Sequence, residues 1–132
     1  MKKVLIVDDS LFMRQSIKST LLASGRYLVI GEAANGDEGI ELSLELKPDI
    51  ITMDNILPDM LGIDIIKELR KEEITSKIIM VSAVGQENVI RECRNSGADD
   101  YLVKPFSKET LIERIDKLAE SLVDHEPIAQ AG

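Results

Sequence analysis

The stretch VLIVDDS, residues 4–10, joins a continuous apolar run to two adjacent aspartates. Three of its first four residues are β-branched, which favours a strand. A run with no polar alternation is typical of a parallel strand that is covered on both faces. Four further short apolar runs follow at residues 27–30, 50–53, 78–81 and 101–103. The chain is therefore predicted to contain five strands.

Amphipathic helical patterns separate these runs. Met13, Ile17 and Leu21 recur at i, i+4 and i+8, which is the spacing of one buried helix face. The alternation predicts an α/β fold of five βα units, with a parallel sheet and helices on both of its faces. The clearest stripe comes last and consists of Leu111, Ile115, Leu118 and Leu122. The residues expected to cap or end helices are Gly25, Gly97 and Ser107.

Composition narrows the class of protein. The chain has 132 residues, which favours one domain, and we assign that domain to residues 1–123 with a flexible tail at 124–132. Its net charge of −8 argues against binding to nucleic acid or to an anionic membrane. Cys93 is the only cysteine, which fits a reducing cytoplasm. No apolar run is long enough to span a membrane.

Polar residues follow four of the five predicted strands. In a parallel sheet the carboxyl ends of the strands share one edge, where ligands bind. Each residue alone has a simpler explanation, since Asp9 or Ser10 could cap a helix and a loop lysine is usually solvated. Together they predict one site formed by Asp8, Asp9, Asp54, Ser82 and Lys104.

This combination of charges indicates a divalent cation. Two carboxylates about 4 Å apart repel by roughly 4 kcal/mol at an effective dielectric constant near 20. One lysine cannot neutralise three acids, and oxygen donors favour Mg²⁺, with Mn²⁺ as the alternative ion. A carboxylate beside such an ion and an ammonium group is equipped to accept a phosphoryl group. The predicted product is an aspartyl phosphate.

Four motifs carry a family resemblance: LIVDDS, TMDNILPDMLG, IIMVSAVGQ and GADDYLVKPF. With them the chain resembles the receiver domains of two-component response regulators, and most of all the stand-alone chemotaxis members. The resemblance covers about residues 2–122. It implies a flavodoxin-like fold with strand order 2-1-3-4-5.

The resemblance also implies the roles of the metal-site residues. Asp54 would be the phosphorylated residue. Asp9 and Asp54 would bind Mg²⁺ directly, Asp8 would act through water, and the backbone carbonyl of Ile56 would be a further ligand.

A second group of roles concerns the response to phosphorylation. Lys104 would contact the phosphoryl group, and the Lys104–Pro105 peptide bond is expected to be cis. Ser82 would be the switch hydroxyl and Tyr101 the switch aromatic residue. Ser82 and Lys104, with Asp54, would be the catalytic groups.

The function that the resemblance implies is phosphoacceptor signalling rather than enzymatic turnover. The donor would be a CheA-like histidine kinase. The reader would be a flagellar motor-switch protein or an archaeal motility adaptor, a phosphatase would reset the signal, and the protein would be a monomer in the cytoplasm. Because no effector segment follows the last helix, output is expected through protein contact.

Other functions remain as alternatives. A stand-alone phosphorelay carrier outside chemotaxis would use the same residues. A Mg²⁺-dependent phosphatase with an aspartyl nucleophile would need an acid two residues after Asp54, where this chain has Ile56. A degenerate receiver used only for docking would not need all five polar residues. Nucleotide binding is disfavoured because neither glycine-rich phosphate-binding motif is present.

Several residues receive simpler interpretations. Ile56 and Val84 are apolar at positions that tune water access in the family, so the phosphate is not expected to be unusually short-lived. Asp59 is interpreted as a loop carboxylate. The pair Asp99 and Asp100 is expected to be solvated. Cys93 lies on an apolar helix stripe and is expected to be a core thiol.

Overall fold

The computed structural model describes residues 1–122, which form five strands and five helices in strict alternation. All strand pairs are parallel, and the order across the sheet is β2-β1-β3-β4-β5. The predicted fold class and strand order are therefore confirmed. The strands are β1 Lys2–Val7, β2 Tyr27–Ala33, β3 Ile50–Asp54, β4 Lys77–Ser82 and β5 Asp100–Val103. The helices are α1 Leu11–Ser24, α2 Gly36–Leu46, α3 Gly62–Lys71, α4 Glu87–Asn95 and α5 Lys108–Ser121.

The proposed tail, residues 124–132, lies outside the described residues. The domain boundary at residue 123 stays a prediction. Among residues 1–122, no helix is both long enough and apolar enough to cross a bilayer.

The strands divide their side chains between two cores. On β1, Val4 and Ile6 pack with α1 and α5, whereas Leu5 and Val7 face α2, α3 and α4. All four side chains are buried, which explains why the run shows no polar alternation. Burial of each such side chain contributes about 1.5–3 kcal/mol. The two cores cover both faces of the sheet with helices.

Helices α1 and α5 begin at the predicted capping residues, and α1 ends at the predicted glycine. Ser10 and Ser107 accept hydrogen bonds from the backbone amides of Met13 and Thr110, so each caps the start of a helix. Gly25 follows α1 with a φ of 72°, in the left-handed region that glycine tolerates. Ser10 therefore turns the chain directly after Asp8 and Asp9, which places both carboxylates at the mouth of β1.

The second strand is longer than the sequence predicted. After a register shift between Val4 and Leu5, residues 31–33 continue to pair with β1. The extension brings the carbonyl of Ala33 to the backbone amide of Asp8, at 3.0 Å. The apolar pattern did not show this extension, because Gly31 and Glu32 interrupt it.

The expectation that Asp99 and Asp100 are solvated was wrong. Asp99 accepts hydrogen bonds from the Ile78 amide at 2.8 Å and from Arg70 at 3.1 Å. Asp100 accepts from Arg114 at 2.7 Å. Both carboxylates therefore anchor the entry of β5 to distant elements. Cys93 is fully buried, as predicted.

Candidate functional site

Three aspartates meet at the carboxyl edge of the sheet. Asp8 follows the last residue of β1 and Asp54 ends β3, and these strands pair with Val7 opposite Met53. One carboxylate oxygen from each of Asp8, Asp9 and Asp54 lies within 4.8 Å of the other two. Asp8 is 1% exposed and Asp54 is 8% exposed, whereas Asp9 faces solvent. The structure thus brings together two buried acids and one exposed acid.

Lys104 reaches the same cluster from the end of β5. Its Nζ lies 3.3 Å from Asp8 Oδ2 and 3.7 Å from Asp54 Oδ1. Three ionised carboxylates and one ammonium leave two negative charges in a largely buried space. The amino group therefore bridges the two buried acids without neutralising the cluster.

The electrostatic imbalance appears in the pKa of Asp54. Burial is the largest cause of a rise in this pKa from 3.8 to about 6, and the neighbouring charges of Asp8 and Asp9 contribute to the same rise. Lys104 and the Ile56 amide oppose the rise but do not cancel it. A free cation would relieve the repulsion that the protein itself leaves in place.

The donor set fits Mg²⁺. Asp8, Asp9 and Asp54 offer oxygen ligands, and this group contains no imidazole or thiolate, the ligands that favour zinc. One side of the cluster is open through Asp9, so an ion there could keep water molecules and contact a further oxygen ligand. The residues present therefore satisfy the chemistry of a magnesium site.

The loop from β1 to α1 is held by groups that the sequence analysis missed. Arg14 donates to the backbone carbonyl of Asp8 at 2.7 Å and to the Glu32 carboxylate at 3.1 Å. The Ser10 amide donates to Asp8 Oδ1 at 2.9 Å. Arg14 and Glu32 are 18 residues apart on different elements, so spacing in the sequence gives no signal for their contact.

The loop from β3 to α3 is a tight turn directly after Asp54. The Gly62 amide donates to the Asn55 carbonyl at 2.6 Å, and the Leu57 amide donates to the Met60 carbonyl at 3.1 Å. Ile56 forms an isolated antiparallel bridge with Leu61, and its amide lies 3.5 Å from Asp54 Oδ1. The backbone of Ile56 is therefore constrained beside the acid cluster, and the residue as a whole is 60% exposed.

Ser82 and Tyr101 approach the same loop, between β4 and α4. Ser82 ends β4, is buried, and accepts a hydrogen bond from the Val84 amide at 3.1 Å. Tyr101 on β5 is 4% exposed, and its hydroxyl donates to the Val84 carbonyl. Both side chains are thus tied to the backbone of Val84. The Lys104–Pro105 peptide bond that follows β5 is cis.

Comparisons with known proteins agree with this geometry. The family model described as "Response regulator receiver domain" matches residues 4–116. Over 119 residues the chain is 47% identical to the chemotaxis protein CheY of Thermotoga maritima, which covers 90% of this chain and 98% of that protein. It is 41% identical to CheY of Bacillus subtilis over 115 residues, covering 87% and 95%.

A solved structure shares the architecture as well. The CheX–CheY–BeF3–Mg complex from Borrelia burgdorferi contains a chain 29% identical to this one, with a TM-score of 0.86 and 89% of each chain covered. The family model spans most of this sequence, and the alignment with the Thermotoga CheY covers nearly the whole of that protein. The chain therefore belongs to the response regulator receiver domain family, as a CheY-like member of two-component signalling.

Proposed function

We propose that this protein accepts a phosphoryl group on Asp54 from a histidine kinase and passes the signal to a partner protein in chemotaxis. One observation carries the proposal, namely that Asp54 lies beside Asp8, Asp9 and Lys104 in an under-neutralised site at the edge of the sheet. The pKa of Asp54, about 6, leaves its carboxylate mostly ionised at neutral pH and able to act as a nucleophile.

The transfer is a displacement at phosphorus. A carboxylate oxygen of Asp54 attacks, the bond from phosphorus to the imidazole nitrogen breaks, and the donor imidazole leaves with the bonding electrons and takes up a proton. Lys104 donates to a phosphoryl oxygen. Asp9, Asp54 and the Ile56 carbonyl would hold Mg²⁺, with Asp8 acting through water. When bound, that ion supplies positive charge against the phosphoryl oxygens.

The output is a population shift. Phosphorylation adds about −1.5 to −2 charges and three acceptor oxygens at the end of β3. The Ser82 hydroxyl donates a hydrogen bond to one of these oxygens, and its hydrogen bond with the Val84 amide is weakened. Because Tyr101 bonds to the same Val84 backbone, the change reaches the surface around α4 and β5. A partner that prefers the shifted state reads the signal.

The CheY relatives favour chemotaxis over a phosphorelay. A CheA-like kinase is the proposed donor, and a flagellar motor-switch protein or an archaeal adaptor is the proposed reader, in the cytoplasm. A phosphatase is proposed to reset the signal. The protein catalyses only its own phosphorylation and dephosphorylation.

Incubation with acetyl phosphate and Mg²⁺ tests the proposal. We expect a mass gain of one phosphoryl group, mapped to the peptide that contains Asp54. The gain should disappear in EDTA, because the chelator removes Mg²⁺. It should also disappear in Asp54→Asn, because the amide is not a nucleophile. Phosphate on another residue of the wild-type protein, or steady-state turnover of small phosphate esters, would contradict the proposal.

The lifetime of the phosphate gives a second prediction. Ile56 and Val84 carry no group that could orient an attacking water, so the aspartyl phosphate should last minutes rather than seconds after the donor is removed. Ile56→Asn should accelerate loss of the phosphate by about three- to tenfold, below the roughly 100-fold of a true general base. Ile56→Leu is the matched apolar control. A wild-type half-life of a few seconds would overturn this prediction.

A further inference from the structure

Asp59 lies at the tip of the loop between β3 and α3, yet its carboxylate bonds to a different element. Oδ1 accepts from the Gly36 amide at 2.7 Å, and Oδ2 accepts from the Asp37 amide at 3.0 Å. Both donors belong to the first turn of α2, 22 and 23 residues away. The interpretation of Asp59 as a plain loop carboxylate is therefore too simple.

The two hydrogen bonds form a clasp on amides that have no partner within the helix. The first amides of any helix lack intrahelical acceptors, and a carboxylate there also benefits from the helix dipole. The amides of Gly36 and Asp37 hold the pKa of Asp59 below its usual value. The clasp is close as well, because a Cβ on Gly36 would lie 3.1 Å from Asp59 Oδ1 and nearer still to the Met60 side chain.

A path of backbone hydrogen bonds connects this clasp to the acid cluster. From Asp59 the loop returns through the pair of Leu57 and Met60, the bridge of Ile56 and Leu61, and the bond from Gly62 to Asn55. These contacts form a short ladder whose open end is Asp54. The position of the tip and the position of the Ile56 backbone are therefore coupled.

The receiving side of the clasp is also fixed relative to the cluster. Gly39, in the first turn of α2, packs so closely on Val7 that a Cβ there would lie 3.0 Å from a Val7 methyl group. The strand that leads into α2 bonds through Ala33 to the Asp8 amide. Asp59 thus links the loop that carries Ile56 to α2, and α2 packs against the end of β1, directly before Asp8.

We propose that Asp59 is a positioning residue for the cation site, which holds the Ile56 carbonyl in place by anchoring its loop to the N-terminus of α2. This inference rests on the proposed function, because the site is the same. Asp59 itself does not touch the ion or the reacting atoms. Its contribution is to reduce the motion of a ligand that lies three residues away in the sequence.

Magnesium affinity measured by calorimetry is the first readout. Asp59→Ala should raise the dissociation constant for Mg²⁺ by about tenfold, the lower end of the range for residues that orient metal ligands. Asp59→Asn keeps one acceptor and should fall between this variant and the wild type. Asp37→Asn removes a charge from the same exposed helix turn without removing the clasp, and it should leave the affinity unchanged.

The rate of phosphorylation by acetyl phosphate distinguishes weaker Mg²⁺ binding from a slower phosphoryl transfer step. In Asp59→Ala, the Mg²⁺ concentration for half-maximal rate should rise by the same factor, whereas the rate at saturating Mg²⁺ should match the wild type. In EDTA, amide hydrogen exchange at Leu57 and Gly62 should be faster in this variant. That exchange reports on the loop without any metal present.

The outcomes are distinguishable. A folded Asp59→Ala with wild-type Mg²⁺ affinity and wild-type exchange at Leu57 overturns the positioning role and leaves the proposed function standing. An equal loss of affinity in Asp37→Asn also overturns it, because the cause would be charge alone. If wild-type protein does not bind Mg²⁺, both proposals fail. If Asp59→Ala does not fold, Asp59→Asn decides by the same criteria.

Discussion

Asp54→Asn should unfold at a higher temperature than the wild-type protein when both are kept free of metal in EDTA at pH 7.5. In the folded protein the pKa of Asp54 is raised from 3.8 to about 6 by burial and by Asp8, so ionisation of this group opposes folding. Each pKa unit corresponds to about 1.4 kcal/mol. With Asp54 8% exposed, we expect the neutral amide to stabilise the fold by about 2 kcal/mol, or roughly 5–10 °C.

The pH dependence of the same experiment has a definite sign. Between pH 4 and pH 6 the native state binds the Asp54 proton more tightly than the unfolded state does. The free energy of unfolding of the wild type therefore contains a contribution that falls as the pH rises through this window and is constant above it. Asp54→Asn should lack that decline, and the two proteins should converge near pH 4.

A control variant separates this effect from general loss of negative charge. Asp64 is an exposed carboxylate in the first turn of α3, where it interacts favourably with the helix dipole. Asp64→Asn should therefore leave stability unchanged or lower it slightly. Equal stabilisation by both variants would mean that net charge, and not repulsion within the cluster, sets the stability.

Magnesium should stabilise the wild-type protein more than it stabilises Asp54→Asn. An ion that binds only the folded state stabilises it by about 2.7 kcal/mol at 100 times its dissociation constant. Millimolar Mg²⁺ should thus raise the unfolding temperature of the wild type more than that of Asp54→Asn. Wild-type unfolding curves that coincide with and without Mg²⁺ would refute the site.

The sequence predicted the parts of this molecule that depend on local pattern and on one topological rule. Apolar runs identify strands that are covered on both faces, and the shared carboxyl edge of a parallel sheet then brings Asp8, Asp54 and Lys104 together. The strand order came from resemblance rather than from the pattern. Once the order is known, the cluster follows without any side-chain detail.

The contacts that orient the site could not be predicted in this way. Arg14 with Glu32, Asp59 with α2, and Arg70 with Asp99 each join residues 18 to 29 positions apart. A single charged residue on a surface has many candidate partners at such separations, and its most common state is solvated. Only the folded backbone selects one partner, so the sequence analysis interpreted Asp59 as a loop carboxylate and expected Asp99 to be solvated.

Gly62→Ala should have the largest destabilising effect of any single methyl group added near the site. A Cβ on Gly62 would overlap the carbonyl oxygen of Asp54 and lie 2.9 Å from the Cα of Asn55. Both obstacles are backbone atoms, so no side-chain rotation can relieve the clash. The Gly62 amide also donates to Asn55 at 2.6 Å, which prevents α3 from simply moving away.

The added methyl group must therefore displace the start of α3 or the end of β3. Overpacking of this kind costs about 1–3 kcal/mol and occasionally more, and we expect about 3 kcal/mol here because the contact is with backbone. Since Asp54 is one of the displaced residues, Mg²⁺ affinity should fall together with stability. Denaturant unfolding and calorimetric titration of the same samples measure both effects.

Gly85→Ala is the matched control, because it adds the same atom to another loop at the same edge of the sheet. Its Cβ would lie 3.4 Å from the Val103 methyl groups, at ordinary contact distance, and the backbone at Gly85 is not in the left-handed region. Such a change restricts the unfolded chain and should leave stability equal or higher, by up to about 1 kcal/mol. If Gly62→Ala behaved like this control in both measurements, the close packing of α3 against the end of β3 would not be what holds Asp54 in place.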